Sequence, residues 1–135
     1  MTEITEIIAG LKTNLQTIPG LRVEENLPEM VNPPVAIVAL ADIEYDGAFN
    51  RGMTTYNFDV TVIVGRADSR GAQRSVLGYA SPVSASSIKV AIESNRNLDG
   101  LIYDLRVTQL RNIGSVVVND TTYIAADFSV VCYAN

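Results

Sequence analysis

"TTYNFDVTVIVGR" (Thr54–Arg66) alternates between apolar and mostly polar residues, as a β-strand with one buried face does. One side of the predicted strand carries Tyr56, Phe58, Val60, Val62 and Val64, and the other carries Asn57, Asp59, Thr61 and Ile63. Valine, tyrosine, phenylalanine and threonine favour extended backbone. The stretch therefore predicts a sheet strand that lays one face on the core.

The segments before this strand predict a helix and two further strands. Isoleucines and leucines from Ile4 to Leu15 recur every three or four residues, which predicts an amphipathic helix from about Thr2 to Gln16. Arg22–Glu25 reads as a short edge strand, since the prolines that follow it are incompatible with a central one. The apolar run Val35–Ala41 predicts a strand buried on both faces.

The segments after the strand predict helices and then more strands. Apolar residues from Ala72 to Ala80 indicate a short helix that ends before Pro82, and Ile88, Ala91 and Ile92 share one face of the next helix. Residues 101–114 alternate as a strand, and residues 115–134 read as strand, turn and strand. The turn is placed at Asn119-Asp120, because both residue types tolerate positive φ.

This order of elements predicts an α+β fold in a single domain spanning residues 1–135. We expect an antiparallel or mixed sheet of about four to five strands. The N-terminal helix and one or two central helices should pack on it.

Composition excludes several classes of protein. With 47% hydrophobic residues the chain has the composition of a globular protein, and its net charge of −5 lacks the basic footprint of a nucleic-acid binder. No apolar run approaches the ~20 residues of a membrane span, and no secretory signal begins the chain, so we expect it to stay in the cytoplasm where it is made. The single cysteine, Cys132, is predicted to be a small buried core residue.

No catalytic, cofactor-binding or metal-binding residue is predicted. The chain has no histidine, so the Ser-His-Asp and Cys-His arrangements are excluded, and with one cysteine a zinc site is close to excluded. A paired-carboxylate hydrolase stays formally open, since fifteen acids always offer some pair. We expect a protein that is not an enzyme.

Two segments before the strand Thr54–Arg66 nearly match known ligand-binding motifs, and Met53 is incompatible with both motifs. "GAFNRGMT" (Gly47–Thr54) has P-loop glycine spacing, but Met53 replaces the phosphate-binding lysine and a strand rather than a helix follows. "DIEYDG" (Asp42–Gly47) begins like a calcium loop, but Met53 replaces its bidentate carboxylate. The acids are therefore interpreted as the solvated face of a strand end.

The same loop holds an aromatic residue and an arginine, Phe49 and Arg51, which are common anchors of protein interfaces. The alternative is that Phe49 folds back onto its own core and Arg51 pairs with a nearby acid. Both readings stay open at this point.

The sequence resembles the small tail terminator proteins of long-tailed (siphovirus) bacteriophages, especially those of phages that infect actinobacteria. The resemblance lies in Ile18–Val38, Ile43–Gln73, Ser86–Asn95 and Leu105–Gly114, followed by the closing strand "YIAADFSVVCYA". The run from "NPP" through "DGAFNRG" to "GRADSRGAQ" is its most specific part.

The resemblance implies a structural virion protein. Such proteins form a homohexameric ring that caps the tail tube, stops its polymerisation and presents a surface to the head-completion (stopper) protein. It further implies a place at the top of the tail in the virion, DNA that only passes through the lumen, no cofactor and no membrane partner, and it leaves open a contact with the tape-measure protein.

The resemblance carries over one region, the loop with Asp46, Phe49, Arg51 and Met53, as a candidate contact between subunits or rings. Two alternatives remain at this stage. One is a head–tail connector or stopper protein of the neck, and the other is a small non-enzymatic ligand-binding α+β domain.

Overall fold

A computed structural model of the chain describes residues 3–18, 20–25, 34–45, 54–68, 70–84 and 87–134. The elements follow one another along the chain as α1 (Ile4–Leu15), β1 (Arg22–Glu24), β2 (Val35–Glu44), β3 (Thr54–Arg66), α2 (Arg70–Ala80), α3 (Ile88–Ile92), a 3₁₀ turn (Glu93–Asn95), β4 (Asp104–Val118) and β5 (Thr121–Ala134).

The described strands form one sheet in the order β1-β2-β3-β5-β4. β1 runs parallel to β2, and every other neighbouring pair is antiparallel. This mixed sheet with three helices confirms the predicted α+β class.

The main core lies between the helices and one face of the sheet. Strand β3 turns Phe58 and Val60 into it, and its sheet neighbour β5 adds Phe128 and Val130. Helix α1 packs on β1 and β2 with an apolar stripe that includes Leu11, which has no exposed surface, and α2 packs on β3 and β5. The alternation of β3 predicted from the sequence is confirmed, since all five of its predicted core residues are buried.

The opposite side of the sheet, which we call the open face, is mostly polar. A small apolar cluster of Val35, Ile63 and Ala125 lies there. Beside it the Thr61 hydroxyl donates to Asp127, with an oxygen–oxygen distance of 2.7 Å. The described helices therefore cover one face, and side-chain hydrogen bonds such as Thr61–Asp127 satisfy polar groups on the other.

The prediction that Val35–Ala41 is buried on both faces is wrong for its second half. Val35, Ala36 and Val38 are buried, whereas residues 39–41 are exposed. The reason is the short neighbour: β1 pairs with β2 only as far as Ile37. Beyond that point β2 has β3 as its one strand neighbour among the described residues.

The strand predicted over residues 101–114 and the strand predicted to follow it from residue 115 form one continuous strand. Strand β4 runs without interruption from Asp104 to Val118. Its pairing with β5 shifts register twice, at Val107/Gln109 and at Arg111/Gly114. Asn112, which lies in the second shift, has a φ of 57°. Bulges let a strand keep pairing while it bends.

The predicted turn at the end of β4 is confirmed. Asn119 has a φ of 50° and Asp120 a φ of 64°, and these two residues connect β4 to β5. Two positive φ angles in a two-residue connection are typical of the type I′ hairpin turn.

Candidate functional site

The predicted interface residues Asp46, Phe49, Arg51 and Met53 all lie outside the described residues, so that hypothesis stays a prediction. Their described neighbours fit the solvated interpretation of the acids. Asp42 and Glu44 are exposed, and the Asn57 amide donates a hydrogen bond to the Asp42 carboxylate.

A different feature, the outer edge of β4, stands out in the structure. At 15 residues β4 is the longest strand, and it ends the sheet. In the part of the chain that the structure describes, β5 is its one strand neighbour. The side of β4 away from β5 therefore presents a row of backbone groups to other partners, and such rows are templates for a further strand.

One residue on this edge is blocked by side chains from α3 and the following turn. The Val107 N–H donates to the Glu93 carboxylate at 2.9 Å, and the Lys89 ammonium donates to the Val107 carbonyl at 3.3 Å. Lys89 and Glu93 also form an ion pair at 2.6 Å. We call this group the Val107 clamp. Because it uses both backbone groups of Val107, no added strand can pair there.

The clamp changes the acidity of Glu93. Burial raises the pKa of this carboxyl, but the hydrogen bonds from Lys89 and from the Val107 N–H and the positive charges of Lys89 and Arg96 outweigh it. The pKa of Glu93 is therefore lowered from its ordinary value. The carboxylate therefore remains ionised at a lower pH than an ordinary glutamate does.

Beyond the clamp lies what we call the open segment of β4, Gln109–Val118. Most of its side chains are exposed, including two large aliphatic ones, Ile113 at 54% and Val117 at 67%. Exposed β-branched residues on a long edge strand favour pairing with another chain. The two bulges divide this edge into short stretches, which limits the length of any strand that can pair in register.

A shallow pocket of about 190 Å³ adjoins the start of the open segment. Its lining includes Ala80 at the end of α2, Thr108 and Leu110 of β4, and Phe128 of the core. Strand-addition sites commonly combine an open edge with a pocket for an alternate side chain of the added strand. The pocket and the open segment together therefore form a candidate assembly site.

Other parts of the described chain offer less chemistry. None of the described residues forms a cluster of three or more potential metal ligands. A polar cleft is lined by Arg66, Asp68 and Asp120 and by two threonines, Thr121 and Thr122. Cys132 is fully buried, as predicted, and burial raises the pKa of its thiol to about 12.

Among the described helices, none has the length and apolar character to cross a membrane. Neither the protein-family models nor the curated proteins compared with this chain gave a match.

The sequence did not predict this candidate assembly site. The alternation of residues 101–114 marked a strand but not its place at the end of the sheet. The i, i+4 spacing of Lys89 and Glu93 was visible in the sequence, yet such pairs usually lie on a solvated helix face. Only the fold brings their charges to the backbone of Val107, which lies 14 residues from Glu93.

Proposed function

We propose that this protein is a structural subunit of a phage tail, a tail terminator that assembles as a ring on the tail tube. The ring stops polymerisation of the tube and joins it to the head-completion protein. The resemblance of the sequence to tail terminators supplies the biological setting, and the structure supports the capacity to assemble.

The observation that carries the proposal is the open segment of β4. A closed ring needs a surface on each subunit that binds a different surface of the next copy. A sheet that ends in a long exposed strand, with an apolar pocket beside it, offers such a surface.

A small-molecule binding protein would be expected to enclose a deep, mainly apolar cavity with convergent polar groups. The described pockets are instead small and open at the surface, and the one beside β4 adjoins free backbone edge. This geometry suits a protein partner better than a buried ligand.

Electron microscopy of the purified protein, alone and mixed with uncapped tail tubes of a long-tailed actinobacteriophage, tests the proposal. We expect a sixfold ring at one end of each tube and no further addition of tube subunits to that end. A protein that stays monomeric and never associates with tubes would contradict the proposal. Binding to the stopper protein without binding to tubes would favour a neck connector instead.

A further inference from the structure

We infer that the open segment of β4 in one subunit pairs, antiparallel, with strand β1 of the next copy of this chain. The inference rests on the proposed ring and names the two surfaces that build it. It concerns described residues only and is independent of the Asp46–Met53 loop.

The first argument is the direction of the two edge strands. β1 runs with β2, and each of the steps from β2 to β3, β5 and β4 reverses the direction, so β1 and β4 run in opposite senses. When copies are arranged head to tail around an axis that preserves strand sense, β4 of one copy meets β1 of the next antiparallel. Antiparallel pairing is the more stable kind.

The second argument is continuity of the core face. On β1, Val23 faces the main core and Glu24 lies on the open face, because they pair with Ala36 and Ile37 respectively. On β4, Leu110 packs against the main core, whereas Val116 packs in the open-face cluster. If Val23 pairs with core-facing residues of β4, the core-facing and open-face side chains therefore continue on the same two faces from one copy into the next.

The third argument is charge. In the open segment Arg111 is the one charged residue, whereas β1 holds Arg22 and Glu24 and is followed directly by Glu25. Both glutamates are exposed. A β4–β4 contact about a twofold axis would bring together two Arg111 side chains, each paired at 2.9 Å with Asp59 of its own copy, whereas a β4–β1 contact brings Arg111 toward the exposed glutamates of the next copy. The charges therefore favour the heterologous contact, which continues around a ring.

The lengths of the two strands also match. β1 has three residues, and the bulges leave only short regular stretches of β4 available. The Val107 clamp blocks pairing toward the start of β4. The clamp thereby restricts β1 of the next copy to the open segment, beside the pocket.

Paired cysteines test the inference, since a disulfide forms only when the two Cα atoms lie within about 7 Å. Glu24→Cys is combined with Gln109→Cys, Val116→Cys or Val118→Cys, one at a time. All four positions share the open face. The native Cys132 is buried and does not compete.

We expect at least one pair to give a ladder of covalent oligomers on oxidation, both in concentrated free protein and on tail tubes. Glu24→Cys with Ser115→Cys, adjacent to Val116 but on the other face, is the matched control and should cross-link at least tenfold less. Glu24→Cys with Leu77→Cys, an exposed position on α2, controls for cross-links that form by random collision of subunits.

The outcomes separate the two proposals. Covalent dimers from a β4 cysteine alone, or capped tubes with no ladder from any pair, would overturn the β4–β1 contact and leave the tail role standing. A ladder in free protein that never caps tubes would support the contact and overturn the tail role. Neither ladder nor capping in either sample would overturn both.

Discussion

At the tip of the β4–β5 hairpin, two adjacent residues adopt a backbone conformation that most side chains avoid. Asn119 and Asp120 both have positive φ, and their short polar side chains tolerate it at low cost. The residue types alone predicted this turn, because the preference is local and needs no tertiary contact.

Substitution of Asp120 tests whether backbone conformation governs this turn. Valine should lower the free energy of unfolding by about 1–2 kcal/mol, because a left-handed conformation is costly for a β-branched side chain. Asp120→Gly should be at least as stable as the native protein, because glycine adopts positive φ freely. Urea unfolding measures both, and equal stability of the two variants would contradict this account.

At the scale of elements, contacts between distant segments join the helices to one another and to the sheet. The buried Asn14 amide of α1 donates to the carbonyls of Ile92 and Asn95, at 2.9 and 3.2 Å, and so ties α1 to the end of α3. The Val107 clamp ties the same helix to the outer edge of β4. These contacts were not predictable, since their partners lie far apart in the sequence.

Removal of the clamp carboxylate should destabilise the protein more than loss of an exposed ion pair. Glu93→Ala removes the acceptor of the partly buried Val107 N–H, which costs about 1–3 kcal/mol. The control, Asp104→Ala, breaks the exposed Arg96–Asp104 pair and should cost about 0.2–1 kcal/mol. Thermal or urea unfolding at neutral pH distinguishes the two variants. Equal losses in the free energy of unfolding would show that the clamp stabilises the fold no more than an exposed ion pair does.

The same comparison predicts a pH dependence. Folding lowers the pKa of Glu93. The stabilisation that its ionised carboxylate provides is therefore complete above the ordinary pKa of 4.5, and it is lost as pH falls through the lower pKa of the folded state. The stability difference between the native protein and Glu93→Ala should therefore shrink below pH 4.5. A difference that stays constant from pH 7 down to pH 3 would show that the ionised carboxylate does not hold the clamp.

At the scale of the whole molecule, the sheet has one covered face, one polar open face and two edges. The edge strands differ in length, and they run in opposite directions. This asymmetry suits a subunit that adds to the next copy in one direction and closes into a ring.

A charge placed on the open segment should block assembly without unfolding the subunit, because charged edges resist strand addition. Val117→Lys is the test and Leu77→Lys the matched control, since these side chains are 67% and 66% exposed and only Val117 lies on β4. We expect Val117→Lys to weaken ring formation at least tenfold, measured by light scattering and microscopy, with unchanged circular dichroism. Normal rings from Val117→Lys would contradict an assembly role for this edge.

The sequence by itself determined the local features: α1, the alternation of β3, the hairpin turn, the buried Cys132 and hence the α+β class. Each of these follows from the period of apolar residues or from a backbone preference within a few residues. Only the tertiary structure decided that β4 ends the described sheet, that Lys89 and Glu93 close one point of its edge, and that the rest of this edge has no strand neighbour among the described residues. Strand order and helix placement depend on which distant surfaces pack together, and no short stretch of sequence contains that information.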